Sequence, residues 1–217
     1  MKTPKKPWPT KAVMEQIYKK HLWGGNDFDF YSGEGSHDPK IINAYLEAIT
    51  HFLKSHETPL VVCDLGCGDF NIGKQLTKYT KKYLAVDIVE ILVERNKALF
   101  KEDNLEFLCL DITKDELPKA DCVILRQVLQ HLSNVEIQKI TKKLMDYKYA
   151  ILTEHIPLDV FTPNLDMITG QGNRTKKNSG VDILQVPFNL KIKDRICLDV
   201  HIMENNKGQI VTYLYIM

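Results

Sequence analysis

The sequence predicts an α/β fold in which a seven-stranded mixed sheet is covered by helices on both faces. Three observations lead to this prediction. Strand-like and helical segments alternate over residues 60–153. Several of these strands are apolar throughout, which is typical of parallel strands buried on both faces. Two final strand-like runs, separated by a polar turn, predict a C-terminal antiparallel hairpin.

The segments before the sheet predict an N-terminal helical cap. Residues 10–21 place apolar side chains on one helical face. Asp38 followed by Pro39 is typical of a helix start, and this second helix continues to about Lys54. Its predicted buried face consists of Ile41, Ile42, Tyr45, Ile49, Phe52 and Leu53. The link at residues 23–36 holds four aromatic residues, so we expect it to pack onto the rest of the protein.

The alternating region supplies five strands and three helices in order. The predicted strands are residues 60–64, 83–87, 105–110, 120–125 and 149–153. The predicted helices are residues 72–79, 89–100 and 134–145. The last of these helices is expected to turn four residues inward, namely Val135, Ile137, Ile140 and Leu144.

The last third of the chain changes character. Residues 156–180 contain prolines, glycines and amides without a clear period. A loop of this length inside a compact domain predicts a lid or a binding segment. Strand-like runs at residues 192–202 and 209–216 follow, and the polar segment 204–208 between them predicts the hairpin turn.

Composition and charge narrow the functional classes. The 217 residues are 44% hydrophobic and 26% charged with a net charge of +1, which is typical of a soluble globular protein and gives no basic stripe for nucleic acid. Lys2, Lys5, Lys6 and Lys11 form a dense group that a solvated chain end explains. No apolar run approaches the roughly 20 residues of a membrane helix, and residues 1–9 lack the apolar core of a signal peptide. We therefore expect a cytoplasmic protein.

The five cysteines fit no zinc-binding spacing. Most of them lie in apolar strand-like runs, so we expect buried, reduced thiols, as is usual in a cytoplasmic protein. No cluster of metal-ligating residues is visible, and we expect no metal.

Residues 61–73, VVCDLGCGDFNIG, join the first strand to a glycine turn and a predicted helix. Gly66 and Gly68 lack a Cβ atom, so the turn can approach a ligand closely. A dinucleotide site needs a third glycine, but that position holds Asn71. Asp64 at the strand end is a poor neighbour for a phosphate. The turn therefore favours a ligand with positive charge.

The next strand ends carry further acids. Asp87 and Asp111 follow the second and third strands, and Arg126 with Gln127 follows the fourth. The carboxyl ends of parallel strands face one crevice. A nucleotide-like cofactor fits such a crevice. Asp87 can accept from both hydroxyls of its ribose, and Asp111 can accept from an adenine amino group while Ile112 lies against the ring. A single strand-end aspartate is more often a turn former, so the ordered set carries this interpretation.

Residues 60–154 resemble the class I S-adenosylmethionine-dependent methyltransferases in the order and spacing of these motifs. The resemblance implies a Rossmann-like fold, S-adenosyl-L-methionine as cofactor and a methyl-transfer activity. Residues 27–36 are similar to a segment that closes over the methionine end of the cofactor in bacterial small-molecule and surface-glycan methyltransferases. The cofactor-binding residues implied are Tyr31, Gly33, Ser36, Asp64, Gly66, Gly68, Asp87, Ile88, Asp111, Ile112, Arg126 and Gln127.

The same resemblance implies a division of the chain. We expect residues 1–217 to form one methyltransferase domain, with residues 1–56 as the helical cap and cofactor-covering loop. Residues 57–217 would then form the catalytic core, with residues 156–180 as a lid insertion. Within the covering loop, Tyr31 either shields the sulfonium with its ring or, like the other aromatics, attaches the cap to the domain.

The candidate general bases are His131, His155 and Glu154, because imidazole titrates near neutral pH and both segments follow strand ends. His131 either acts as a base or braces the cofactor loop. The pair Glu154-His155 either takes part in catalysis or is solvated. Arg126 either pairs with an acid or binds an anionic acceptor. Arg174 is a second anion contact or a solvated loop tip.

The leading hypothesis is methylation of a small polar metabolite or glycan precursor, with an anionic acceptor if Arg126 and Arg174 bind it. Modification of RNA or protein is an alternative that the neutral charge disfavours. A cofactor-binding partner subunit without activity is another. We expect no nucleic-acid or membrane partner, and a monomer or homodimer.

Overall fold

A seven-stranded mixed sheet organises the computed structural model, which describes residues 7–204 and 208–217. Its strands are β1 (Val61–Leu65), β2 (Lys82–Asp87), β3 (Leu105–Cys109), β4 (Cys122–Arg126), β5 (Tyr149–Ile156), β8 (Asp194–Ile202) and β9 (Gln209–Ile216). The strand order is β3-β2-β1-β4-β5-β9-β8. β1 to β5 are parallel, whereas β9 runs antiparallel to both β5 and β8. The predicted fold class and the C-terminal antiparallel pair are confirmed.

Helices cover both faces of this sheet. They are α1 (Thr10–Lys19), α2 (Pro39–Lys54), α3 (Glu90–Leu99) and α4 (Asn134–Leu144). Successive residues of a strand point to opposite faces, so β4 contributes to both core layers. Val123 and Leu125 pack in the layer that contains α4, whereas Ile124 packs in the layer that contains α2. The sheet is therefore buried on both sides, as its apolar strands predict.

The start of α2 follows the predicted capping chemistry. Asp38 Oδ1 accepts a hydrogen bond from Lys40 N at 2.9 Å, and Pro39 occupies the first helical position. All six residues predicted for its inner face are buried. α4 begins with a capping box formed by Ser133 and Glu136.

The prediction of a helix at residues 72–79 is wrong. Two short 3₁₀ turns, Gly73–Gln75 and Thr77–Tyr79, occupy this segment. The hydroxyls of Thr77 and Thr80 bond local carbonyl oxygens, and such bonds compete with a regular helix. The Asn104 amide also donates to the carbonyls of Thr77 and Thr80, both at 2.9 Å.

The inward position predicted for Val135 is also wrong, because its side chain is 63% exposed. The buried residues of α4 include Ile137, Ile140 and Leu144, which recur at helical spacing. Val135 precedes Ile137 by two residues and therefore points to the opposite side of the helix.

Residues 156–180, called the lid segment below, contain little regular structure. β6 (Thr162–Pro163) and β7 (Ser179–Gly180) pair in a separate two-stranded sheet, and a 3₁₀ turn covers Thr175–Lys177. β5 is longer than predicted and extends through Glu154 and His155 to Ile156. These two residues thus lie within the strand instead of after it.

The cysteine prediction holds only in part. Cys63 and Cys122 are buried, but Cys109 and Cys197 are exposed, and all the cysteines described are free thiols. In the part of the chain that the structure describes, no helix is both long and apolar enough to cross a membrane. Lys2, Lys5 and Lys6 and the centre of the predicted 204–208 turn lie outside the described residues.

The Asp38 cap generates a stability prediction. Replacing Asp38 with Ala leaves the first-turn N–H of Lys40 without its acceptor, and we expect the free energy of unfolding to fall by about 1 kcal/mol. Urea denaturation measures this change. Val135→Ala is the control, because an exposed side chain on α4 should change stability by less than about 0.5 kcal/mol. An equal effect of both substitutions would contradict the capping role.

Candidate active site

A cavity of about 250 Å³ lies where the parallel strands of the sheet end. Its wall includes most of the residues predicted to bind the cofactor, namely Gly33, Ser36, Asp64, Gly66, Gly68, Asp87, Ile88, Asp111, Ile112, Arg126 and Gln127. His131 also lies on this wall. Tyr31, Glu154, His155 and Arg174 are described by the structure but lie outside the wall.

The glycine turn after β1 is packed against other parts of the chain. Gly66 has φ +80°, and a Cβ atom there would lie 2.6 Å from Val128 Cγ2. Gly68 has φ +57°, and its Cβ atom would lie 2.2 Å from Ser32 Oγ. Both positions therefore need glycine for their backbone conformation and for the close approach of two loops.

Asn71 explains the missing third glycine. Its Nδ2 donates to Ser36 O at 2.7 Å. The neighbouring Asp69 accepts from Ser32 N at 2.8 Å and is bonded to His37 Nε2 at 2.6 Å. The turn thus holds residues 32–37 over the cavity through side chains instead of meeting a helix.

Asp64 is a buried carboxyl group on the cavity wall. Tyr83 Oη donates to its Oδ2 at 2.9 Å. Burial raises the pKa of Asp64 to about 7, and the negative charge of Asp87 adds to this rise. The Tyr83 hydrogen bond and the charge of Arg126 act in the opposite direction. The ionised form of Asp64 is therefore poorly solvated and favours a cationic ligand.

Asp87 and Asp111 line the same cavity with different surroundings. Burial raises the pKa of Asp87, although its two oxygens accept from Gly68 N and Val89 N, each at 3.0 Å. Burial opposes ionisation of Asp111 as well, but hydrogen bonds from Lys114 and Thr113 lower its pKa overall. Asp111 is thus both a turn former and a cavity residue.

Arg126 is the last residue of β4, and it donates hydrogen bonds to the covering loop at residues 32–37. Its Nη2 donates to Gly35 O at 2.5 Å, and its Nη1 donates to Ser36 Oγ at 3.2 Å. Its guanidinium lies over the ring of Tyr45, with 4.7 Å between Cζ and the ring centroid. Burial lowers the pKa of Arg126. The terminal nitrogens that would bind an anionic acceptor in a fork are therefore engaged by the protein.

His131 joins the cavity wall to the lid segment. Its Nδ1 lies 3.0 Å from Gly172 O, and its Nε2 lies 3.1 Å from Gln130 Nε2. The Trp23 ring packs on it with 5.0 Å between centroids. Burial lowers the pKa of His131 to about 4, so the ring is neutral at pH 7. A neutral ring that donates to Gly172 O and accepts from Gln130 acts as a brace and has no nitrogen left to act as a base.

Glu154 and His155 lie within β5 and are not among the residues that line the cavity. Glu154 Oε1 accepts from Leu129 N at 3.3 Å, and burial raises the pKa of Glu154 to about 8. His155 N donates to Gln130 Oε1 at 2.9 Å. These residues support the β4–α4 turn, and the prediction that they face the crevice is wrong.

The structure contradicts both predictions for Arg174, because its side chain is only 1% exposed. Its guanidinium donates five hydrogen bonds, all to protein oxygens, and their acceptors are Leu165 O, Leu129 O, Gln130 O, Leu132 O and Asn134 Oδ1. The residue is neither a solvated loop tip nor an anion contact. It attaches the lid segment to the β4–α4 turn.

Tyr31 does not face the cavity either. Its ring stacks on His37 with 4.4 Å between centroids. The aromatic residues on the wall are instead Tyr18, Trp23, Tyr45 and Tyr83. Sequence reasoning missed these four, since Tyr45 and Tyr83 follow the pattern of core residues and Trp23 lies in an irregular link.

Comparison with known sequences finds a similarity in the central segment. Residues 62–147 match the family model described as a methyltransferase domain. A curated protein from Rickettsia akari (strain Hartford), named ubiquinone biosynthesis O-methyltransferase, is 28% identical over 180 residues. The match covers 82% of this chain and 64% of the relative, so the chain spans just under two thirds of that protein's length.

Comparison with solved structures supports the same fold. The N-methyltransferase NodS from Bradyrhizobium japonicum WM9, solved with S-adenosyl-L-homocysteine, has a TM-score of 0.67 at 10% identity, covering 94% of this chain and 98% of that one. Magnesium protoporphyrin IX methyltransferase from Synechocystis PCC 6803 has a TM-score of 0.61 at 15% identity, covering 96% and 100%. Human N-acetylserotonin methyltransferase has a TM-score of 0.60 at 17% identity, covering 96% and 60%.

Arg174 generates a second stability prediction. Arg174→Met keeps an apolar stem but leaves several buried carbonyl oxygens without donors, and we expect the free energy of unfolding to fall by about 3 kcal/mol. Chemical denaturation measures the loss. Lys176→Met, on an exposed side chain two residues later, is the matched control. Equal stability of the two variants would contradict the role of Arg174 in attaching the lid segment.

Proposed function

We propose that this chain, whose residues 62–147 form a methyltransferase domain within the class I methyltransferase fold, methylates a small polar metabolite or glycan precursor. S-adenosyl-L-methionine is the cofactor, as the domain match and the ligands of similar structures support. The observation that carries the proposal is the set of three carboxylates on one cavity wall, each from the end of a different parallel strand.

The residues on the wall fit this cofactor along its whole length. Asp111 and Ile112 would contact the adenine, and Asp87 would accept from the ribose hydroxyls by charge-assisted hydrogen bonds. Asp64 would accept from the methionine ammonium, and a cation there compensates the cost of ionising a buried carboxyl group. When bound, S-adenosyl-L-methionine supplies an electrophilic methyl group on a sulfonium.

The chain's own contribution is to align the reactants and exclude water. Trp23 Nε1 donates to Gln171 O at 3.1 Å, and Gly170 N donates to His131 O at 3.0 Å. The first bond joins the lid segment to the cap, and the second joins it to the turn between β4 and α4. Alignment of two reactants in such a site lowers a barrier by about 7–11 kcal/mol. A neutral amine acceptor then needs no base before the transfer, whereas a hydroxyl acceptor must first lose its proton.

The contribution of both the cap and the lid segment to the cavity wall favours a small acceptor over a macromolecule. Trp23, Tyr18 and Gln171 all line the cavity, so the cap and the lid both cover it. The chain also carries a net charge of only +1, which disfavours RNA. Related proteins are named as O- and N-methyltransferases, and we propose a hydroxyl or amine acceptor on that basis.

The cofactor proposal predicts a binding defect at Asp87. We expect S-adenosyl-L-homocysteine to bind the wild-type protein in a calorimetric titration. Asp87→Asn removes the charge that strengthens the ribose hydrogen bonds, and we expect binding to weaken by about tenfold or more. Asp103→Asn, at an exposed aspartate, should bind like the wild type. No binding by the wild-type protein would overturn the proposal.

A turnover assay separates an enzyme from a binding module. Protein incubated with methyl-labelled cofactor and a metabolite extract should transfer label to small molecules, whereas Asp87→Asn should transfer much less. Binding without any transfer would support the cofactor-binding subunit instead. Thermal unfolding of each variant shows whether a defect reflects loss of the fold.

The raised pKa of Asp64 predicts pH-dependent binding. Below about pH 7 the carboxyl group is protonated in the free protein and must lose a proton to pair with the ammonium. Affinity for S-adenosyl-L-homocysteine should therefore be about tenfold weaker at pH 6 than at pH 8. Asp64→Asn should remove this dependence. 5′-Methylthioadenosine lacks the amino-acid end and serves as the control ligand; a pH dependence that survives in the variant would contradict the assignment.

A further inference from the structure

A forked ion pair joins α3 to the chain segment that precedes the covering loop. Arg95 of α3 donates from Nε to Asp29 Oδ2 at 2.7 Å and from Nη2 to Asp29 Oδ1 at 2.8 Å. Neither residue is among those that line the cavity. Exposed ion pairs usually contribute little, but a bidentate pair of arginine and carboxylate fixes two groups relative to each other. This pair therefore restrains the chain three residues before the covering loop begins at Ser32.

The same guanidinium reaches the glycine turn after β1. Arg95 Nη1 donates to Asp69 O at 3.2 Å and to Asn96 Oδ1 at 3.0 Å. Asn96 has no exposed surface, and its Nδ2 donates to Gly68 O at 2.8 Å. Gly68 N in turn donates to Asp87 Oδ2 at 3.0 Å. Two adjacent residues of α3 thus hold the turn whose backbone supports the proposed ribose-binding acid.

Asp69 connects these contacts to the covering loop. Its carbonyl oxygen accepts from Arg95. Its Oδ2 accepts from Ser32 N at 2.8 Å and is bonded to His37 Nε2 at 2.6 Å. Ser32 lies on the cavity wall. The chain from Asp29 to His37 is therefore held at its start by Arg95 and from Ser32 onwards by Asp69, and Arg95 bonds Asp69 as well.

We propose that Arg95 is a positioning residue for the cofactor, because it fixes Asp29 relative to Asp69 and so keeps the covering loop closed over the bound molecule. This inference rests on the proposed function and deepens it. Arg95 touches neither reactant and acts only through the loop, by slowing the release of the cofactor. The Asp29 side chain is 55% exposed, so dissolved salt screens the pair and weakens this effect.

The release of tritium-labelled S-adenosyl-L-homocysteine into excess unlabelled ligand tests this inference. Asp29→Asn keeps the size of the side chain but removes its charge, so the dissociation rate constant should rise by about fivefold. Asp29→Glu restores the carboxylate and should release the ligand within about twofold of the wild-type rate. Asp27→Asn, at an exposed aspartate two residues earlier, is the matched control and should also stay within about twofold.

A double-mutant cycle and a salt series separate positioning from a general loss of stability. Arg95→Gln combined with Asp29→Asn should release the ligand no faster than Arg95→Gln alone, because both substitutions remove the same contact. Raising the salt concentration from about 0.05 M to about 0.5 M should speed release from the wild-type protein by about threefold. The same change should speed release from Asp29→Asn much less.

Equal dissociation rates for the wild type and Asp29→Asn would overturn the inference, as would additive effects of the two substitutions or an equal salt effect in both proteins. A lower thermal stability without faster release would overturn it as well, since Arg95 would then support only the fold. Failure of the wild-type protein to bind S-adenosyl-L-homocysteine would overturn the proposed function itself.

Discussion

The cavity depends on the contact between the glycine turn after β1 and the covering loop at residues 32–37. Gly68 leaves space that Ser32 fills, and Asp69 and Asn71 bond the backbone of this loop. Arg126 bonds the same loop from β4 on the other side of the turn. One short segment is thus held from two adjacent strands. Any side chain larger than hydrogen at position 68 would push the loop away and open the site.

The electrostatics of the site follow from this closure. Asp64 and Asp87 are both buried, and burial raises the pKa of each. Backbone N–H groups stabilise Asp87, whereas Asp64 receives only the Tyr83 hydroxyl and the charge of Arg126. The two acids therefore differ in the groups that stabilise their ionised forms. Both oxygens of Asp87 accept from backbone N–H groups, whereas no cationic side chain of the described residues bonds Asp64 directly.

Local patterns account for the parts that the sequence predicts well. The strands, the α2 cap at Asp38 and the strand-end acids depend on periodicity and on turn chemistry within a few residues. Non-local contacts account for the failures. Arg174 looks solvated in a glycine-containing loop, but its acceptors Leu129 and Leu132 lie 45 and 42 residues earlier. Tyr45 has the spacing of a core residue, and periodicity does not distinguish a core wall from a cavity wall.

The lid segment and the cofactor site respond to pH in different ways. Burial raises the pKa of Glu154 to about 8, so this carboxyl group is mostly neutral at pH 7 although Arg174 acts on it electrostatically. Carbonyl oxygens, which do not titrate, accept the hydrogen bonds of Arg174. His131 likewise stays neutral above about pH 4 and keeps its bond to Gly172. The groups that form the hydrogen bonds attaching the lid segment therefore keep their charge between pH 6 and 8, the range in which Asp64 changes its charge.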